Sequence, residues 1–183
     1  MLPDPGWLLV ASSTLRDPHF ARSLLVVLEA DAAGSLAVVL DRPTSLAVTE
    51  VLAPWEPLVS DPAVFFNGGP VDRDSALALG TLRSDQPPPG WRPLTPTLGL
   101  VYLDTPPESA SGLLADLRLY AGYAGWGPGQ LDAEIAEGSW HVVPSSPADL
   151  FSPSPELLWR DVLRRQRAPL SLLVTLPEDP NLN

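Results

Sequence analysis

Apolar residues fall along the chain in short runs broken by proline, glycine and aspartate, a rhythm of strands and turns more than of long helices. Trp7–Ala11, after Pro5-Gly6, is the first run, and a polar loop over Ser12–Phe20 follows it. Ser23–Leu28 and Leu36–Leu40 are two more, and the Glu29–Gly34 segment between them suits an antiparallel hairpin. Their unbroken Leu and Val positions predict strands covered on both faces. Leu46–Leu52 reads as a short helix capped by Thr44 or Ser45 and stopped by Pro54. Ala63–Phe66 and Ala76–Leu79 are strand candidates on either side of an Asn67-Gly68-Gly69-Pro70 turn.

Ser84–Pro96, rich in proline, reads as a surface loop, and Leu98–Leu103 returns to strand. Ser109–Leu114 suits one or two helical turns, and Leu117–Ala124 is a strand leading into an arch with Gly122, Gly125, Trp126, Gly127, Pro128 and Gly129. Pro128 fits the first position of a helix through Glu134 and Ile135, with Gly138 as its C′ residue. Ser139–Val143 is a further strand, Pro155–Gln166 a helix with Ser154 as N-cap, and Ser171–Leu176 a last strand before a polar tail. No repeat or linker divides the chain, so residues 1–183 are read as one domain. Strands outnumber helices, which predicts an α+β fold with a mixed sheet or partial barrel.

Composition narrows the function classes. A hydrophobic content of 45% supports a packed core, and 23 prolines scattered among the apolar runs punctuate many short elements. The net charge of −11 opposes direct binding to nucleic acid and to anionic membrane. The densest basic cluster, Arg160, Arg164, Arg165 and Arg167, has helical spacing with Asp161 inside it, which suits a solvated helix face. There is no cysteine, which removes disulfides, thiolate metal sites and a cysteine nucleophile. With neither a signal-peptide pattern nor an apolar run of membrane length, a cytoplasmic protein is expected.

Three stretches carry candidate chemistry. Asp17-Pro18-His19-Phe20-Ala21-Arg22-Ser23 holds an acid, a histidine, an arginine and a serine, but the same residues suit a turn in which Asp17 caps the backbone. Asn67-Gly68-Gly69-Pro70 offers two successive backbone N–H groups to an anion, or a structural turn. The Gly127–Gly129 arch offers the same at a helix start, unless Gln130 or Glu134 satisfies those groups internally. Only two histidines exist, His19 and His141, without metal-site spacing, so no metal or cofactor is expected.

Taken in order, these motifs resemble the AlgH/YqgE family of bacterial proteins across nearly the whole chain. The matching features are Gly6–Ala11, Asp17-Pro18 with Phe20, Arg22 and Ser23, Gly34 before Leu40–Thr44, Val64–Val71, and Gly122–Leu131. Glu134, Gly138-Ser139-Trp140, Leu150-Phe151 and Leu158-Trp159 complete the match. Asp41 departs from the pattern, standing where the family usually has Asn, and Ser13 stands where it often has Pro. The resemblance implies a single α+β domain, a mostly antiparallel sheet bent into a partial barrel with flanking helices. Some family members are described as regulators of transcription; no defined reaction is implied.

The expected function is a non-enzymatic binding or regulatory module that affects transcription indirectly, through a protein or small-molecule partner. Asp17, Arg22, Arg42, Asn67, Gly68, Gly69, Trp126 and Gln130 are the candidate ligand residues. The alternative is a hydrolase or transferase with a pocket built from the Asp17–Arg22 and Asn67–Gly69 loops.

Overall fold

The computed structural model describes residues 2–175. Ten strands form one curled sheet: β1 (Leu8–Ala11), β2 (Leu24–Asp31), β3 (Gly34–Val39), β4 (Pro43–Ala47), β5 (Val64–Asn67), β6 (Val71–Leu82), β7 (Trp91–Pro93), β8 (Leu98–Val101), β9 (Leu114–Trp126) and β10 (Trp140–Val143). The main path runs β10-β1-β2-β3-β9-β6-β8-β7, while β4 pairs with β5 and β5 with β9. Every pairing is antiparallel except β5 with β9. The sheet is a half-barrel, and the fold is α+β.

β9 is the hub. Its first part, Leu114–Ala121, lies against β6, and its last residues, Ala124–Trp126, pair with Ala37–Ser35 of β3. Gly122, at φ 73°, turns the strand between the two, and such a kink curls a sheet that would otherwise run flat. The chain of β5 crosses β9 at this kink. Gly68 N donates to Ala121 O at 2.9 Å, and a Cβ on Gly122 would lie 2.6 Å from Gly69 O. A Cβ on Gly69 would collide with the Tyr123 carbonyl and lie 2.5 Å from Ala124 N. The glycines of the two conspicuous turns serve each other as a backbone crossing.

Alternate residues of β1, β2 and β3 fill two separate cores. Leu8, Val10, Leu24, Val26, Val38 and Leu40 pack inside the half-barrel against α4 (Leu158–Arg164) through Trp159, Val162 and Leu163. Leu9, Leu25, Val27, Val39, Trp126 and Trp140 pack on the outer face beneath Leu131 of α2 (Gln130–Ala136). The unbroken apolar runs therefore mean burial on both faces. A third cluster, with Trp55, Phe65, Leu117 and Leu119, sits under α1 (Val48–Leu52) and the 3₁₀ turn Ala53–Leu58.

Several elements differ from expectation. Pro128 precedes the helix: Gln130 N donates to Gly127 O at 3.1 Å and Gly129 has φ 73°, so Pro128 and Gly129 are the corner of a type II-like turn and α2 begins at Gln130. Gly138, at φ 83°, follows the C-cap Glu137 as expected. Pro43–Ala47 is strand, and only Val48–Leu52 is helix. The proline-rich loop hides the edge strand β7, whose terminal position tolerates Pro93. The segment before Leu114 has only a 3₁₀ turn, Pro107–Ser109.

The Pro155–Gln166 helix is a 3₁₀ turn, Pro155–Leu157, followed by α4, and the Ser154 side chain makes no capping bond. The last strand is instead a 3₁₀ turn over Leu170–Thr175. Its Leu170, Leu173 and Val174 pack on the inner core, and their i, i+3, i+4 spacing is helical. Leu176 and the polar tail lie outside the described residues. Between β10 and α4, α3 (Pro147–Leu150) holds Asp149, which is buried and ion-paired with Arg165.

Candidate functional site

Two of the expected ligand turns have spent their polar groups on the fold. Gly68 N is bonded to Ala121 O, and Gly69 N donates to Asn67 Oδ1 at 3.3 Å. Gly127 N donates to Gln130 Oε1 at 3.1 Å, and Gln130 Nε2 donates to Glu134 Oε1 at 2.9 Å. Trp126 is 7% exposed and donates its indole N–H to Glu134 Oε2 at 2.9 Å. Trp140 donates to the same oxygen at 2.8 Å, and Phe20 packs against both indoles. Glu134 is thus the polar pin of the outer core, holding two tryptophans and the Gln130 amide. Bonds to an ionised acceptor are among the stronger ones. Glu134→Gln keeps an acceptor for the indoles but loses the charge and forces Gln130 to reorient. It is expected to lower stability by roughly 1–2 kcal/mol in thermal unfolding followed by tryptophan fluorescence.

The Asp17–Ser23 loop is likewise internally bonded. Asp17 Oδ1 accepts from His19 N at 2.8 Å, and its carbonyl accepts from Phe20 N and Ala21 N. Ser23, fully buried, donates its hydroxyl to Phe20 O at 2.7 Å. Arg42 Nη2 donates to Ala21 O at 2.7 Å, and Arg42 O accepts from Asn67 N at 2.8 Å. Arg42 therefore ties the first loop to the Asn67 turn.

The described residues also line cavities of different character. Arg22 lines a polar one of about 280 Å³, together with Asp41, Glu156, Leu157, Trp159 and Arg160. Arg22 has φ 53°, an uncommon backbone state for a non-glycine residue, and sets its guanidinium 5.4 Å from the centre of the Trp159 ring. Asp41 has a side chain only 6% exposed, and its Oδ1 has no hydrogen-bond partner. Burial pushes its pKa up to about 7, against the opposing pull of Arg42, whose Nε lies 3.9 Å away, and of backbone groups at Leu24 and Asp41. Asn67 lines a different cavity of about 210 Å³, with Thr44, Phe65 and Arg73. Trp126 and Gln130 belong to the outer core, under α2.

The third cavity was not foreseen. It is an open groove of about 870 Å³ between β6, the end of β8 and the Gly90–Arg92 corner, with Leu52 of α1 at one end. Ala78 and Val101, buried in the third cluster, and Leu52 and Leu103 packed against it supply apolar lining, and Trp91 and the exposed Tyr102 and Arg92 line it too. Tyr102 is 61% exposed, and a hydrogen bond to Asp104 raises the pKa of its hydroxyl. Arg92 is steadied from outside by Glu29 Oε2 at 2.8 Å. The groove has the size, and the small cavity the charge chemistry. Volume and mixed lining favour the groove as the larger ligand site, since such sites are commonly 300–1,000 Å³.

Deep in the inner core Arg118 is fully buried, donating to Asp61 O at 2.6 Å and Ser152 O at 3.1 Å and lying 4.4 Å from the Phe66 ring centre. Burial lowers its pKa and raises that of the adjacent, equally buried Tyr120. Nothing in the local sequence marks it, because its burial depends on three distant segments. Among the described residues there is no cluster of three His, Asp or Glu side chains suited to a metal ion, and no helix long and apolar enough to cross a membrane.

The AlgH-like family model matches residues 8–171 of the chain. A UPF0301 protein of Streptomyces avermitilis is 50% identical over 182 residues, covering 97% of this chain and 94% of its own. One from Thermobifida fusca is 46% identical over 187 residues, covering 97% and 94%. A crystal structure of a Corynebacterium diphtheriae protein superposes with TM-score 0.90 at 34% identity, covering 96% of this chain and 94% of that one. The solution structure of the AlgH protein from Pseudomonas aeruginosa gives TM-score 0.71 at 28% identity, covering 98% and 99%.

Proposed function

The chain belongs to the AlgH-like family, and we propose that it is a cytoplasmic, non-enzymatic binding module whose ligand occupies the groove lined by β6, Trp91 and Tyr102. The observation that carries this reading is the groove: about 870 Å³, lined by apolar side chains together with aromatic and charged ones. That combination suits a small organic molecule with a flat apolar part and one or two polar groups. A regulatory effect on transcription would then be indirect. Ligand in the groove changes the surface offered to a protein partner, since a chain of net charge −11 is a poor direct reader of DNA.

The hydrolase or transferase alternative needs a nucleophile or base beside an electrophilic stabiliser. The Gly68 and Gly69 N–H groups are engaged by Ala121 O and Asn67 Oδ1, and the Ser23 hydroxyl by Phe20 O. These engagements favour binding over turnover.

A melting-temperature screen against a panel of small metabolites tests the proposal. A true ligand at about 100 times its Kd adds roughly 2.7 kcal/mol, or several degrees at this chain length. Tyr102→Ala is expected to remove most of that shift, and the ligand is expected to be recovered chemically unchanged. Conversion of a hit to product, or a shift unaffected in Tyr102→Ala, contradicts the reading.

A further inference from the structure

We propose that the cavity between β4, β5 and β6 is a second site, for a small oxyanion held by the Arg73 guanidinium with the Asn67 side-chain NH₂ and the Ser45 hydroxyl beside it. The site is separate from the groove and does not depend on it.

Two β-bulges build it. β4 pairs with β5 through Pro43 with Phe66 and Ala47 with Val64, so the three residues Thr44, Ser45 and Leu46 stand opposite Phe65 alone. β6 pairs with β9 through Val71 with Tyr123 and Ala76 with Ala121, so the four residues Asp72–Ser75 stand opposite Gly122 alone. The β4 bulge, Phe65 and Arg73 from the β6 bulge line the cavity of about 210 Å³, together with Asn67 and Ala121. Bulges recur beside functional sites, where they re-aim a side chain. Asp72, at φ 50°, supplies a left-handed backbone step just before Arg73. The β6 bulge is seated on the kink of β9: a Cβ on Gly122 would lie 2.8 Å from Val71 O and 3.3 Å from Arg73 Cα. The exposed Arg73 side chain therefore starts from backbone held at the strand crossing.

The unspent polar groups of the lining are donors. Among the described residues Arg73 makes no hydrogen bond, ion pair or ring contact. Its neighbours Asp72 and Asp74 do not line the cavity, and Asp72 Oδ2 accepts from the Ser75 hydroxyl at 2.7 Å. Asn67 Oδ1 accepts from Gly69 N, which fixes the orientation of the amide and leaves its NH₂ to donate. That NH₂ has no partner among the described residues, and it is not enclosed. The exposed Ser45 hydroxyl is likewise unbonded among them, whereas the Thr44 hydroxyl is spent between Phe65 O and Leu46 N. The backbone N–H groups of Gly68 and Gly69 take no part, being engaged by Ala121 O and Asn67 Oδ1.

Charge and size choose the ligand. The lining holds one cation and no carboxylate, in a chain whose net charge is −11. A cationic ligand would meet Arg73 with no acid to offset it; an oxyanion meets a guanidinium fork and two neutral donors. The volume lies below the roughly 300 Å³ at which drug-sized sites begin, which limits the ligand to a carboxylate or phosphate on a small frame. Leu46, Phe65 and Ala121 leave apolar surface for a few carbon atoms.

The test is an NMR titration of the full chain with acetate and, separately, with inorganic phosphate, at pH 7 and an ionic strength held constant with sodium chloride. Acetate stands for a carboxylate ligand and phosphate for a tetrahedral one. At least one is expected to move the Asn67 side-chain NH₂ and the Ser45 and Arg73 backbone signals saturably, with Trp91 and Tyr102 of the groove unmoved. Arg73→Gln is expected to weaken that binding about tenfold or more. Arg16→Gln, at an exposed arginine outside the cavity, is expected to leave it unchanged. Asn67→Asp keeps an acceptor for Gly69 N but replaces the NH₂ with a charged oxygen, and is expected to abolish binding. Shifts that do not saturate with either probe, saturable shifts centred elsewhere, or binding unchanged in Arg73→Gln overturns the proposal. The Arg73 side chain holds no bond of the fold, and the parent chain's titrations decide the matter even if the Asn67 variant fails to fold.

Discussion

Gly69→Ala is expected to leave little folded protein. The methyl group would collide with the Tyr123 carbonyl and sit 2.5 Å from Ala124 N, and both are backbone atoms of the hub strand that cannot swing aside. The φ of 152° at Gly69 adds backbone strain for any residue with a side chain. Relief requires β5 to lift off β9, breaking the Gly68 N to Ala121 O bond and opening the crossing at Gly122. A cost above about 4 kcal/mol is expected, a large part of the 5–15 kcal/mol that domains typically hold. Gly112→Ala is the control: a Cβ there meets nothing within 4 Å, so only its φ of 77° counts, worth about 1–2 kcal/mol. Urea unfolding of the two variants should separate them widely. A Gly69→Ala protein as stable as its parent would mean that the crossing is not what requires glycine, and would return this turn to the candidates for ligand binding.

Asp41→Asn is expected to stabilise the fold increasingly above about pH 4, and by the full amount above about pH 7. Burial raises the Asp41 pKa from 3.8 to about 7. Between those values the unfolded chain has lost this proton while the folded chain keeps it, so the folded state binds more protons and its stability falls as pH rises. Above about pH 7 the folded state carries an ionised carboxylate that is only 6% exposed and whose Oδ1 has no hydrogen bond, with the Arg42 Nε 3.9 Å away. Three pKa steps at about 1.36 kcal/mol each put the effect on the order of 4 kcal/mol, an upper figure. Chemical unfolding at pH 8 should show the Asn variant more stable by a few kcal/mol, and at pH 4 the two should nearly agree. Equal effects at both pH values would show that packing, and not ionisation, sets the difference.

The local architecture is legible in the sequence because period and punctuation are local signals. Leu8–Ala11, Leu24–Leu28 and Trp140–Val143 are strands as their apolar runs imply, and the burial of β1 to β3 on both faces was legible in their unbroken Leu and Val. What failed was weak local signal: a three-residue edge strand inside a proline-rich loop, and a terminal apolar segment whose helical spacing competes with its β-forming Val174. The glycine turns were located correctly, yet their purpose was not visible. Whether Gly68 and Gly69 cradle an anion or a neighbouring strand depends on Gly122, more than fifty residues away.

The sites show the same division. Arg22 and Arg42 were named from their loops, and Asp41 stood out as an acid beside Arg42, but its burial is not a local signal, and the cavity it lines draws on Glu156, Trp159 and Arg160, more than a hundred residues on. The groove draws on Leu52, Ser75–Ala78, Gly90–Arg92 and Leu100–Asp104, four segments that no motif joins. An aromatic residue in a polar loop, as at Trp91, and another just past a strand end, as at Tyr102, were the only local hints.

The most direct test of the binding-module account is a map of backbone amide shifts on adding a ligand found in the metabolite screen. The account predicts that the largest changes fall on Ser75–Ala78, Gly90–Arg92 and Leu100–Asp104, with the Asn67–Gly69 and Gly127–Gln130 turns nearly still. Changes centred on those two turns, with the groove unmoved, would contradict it.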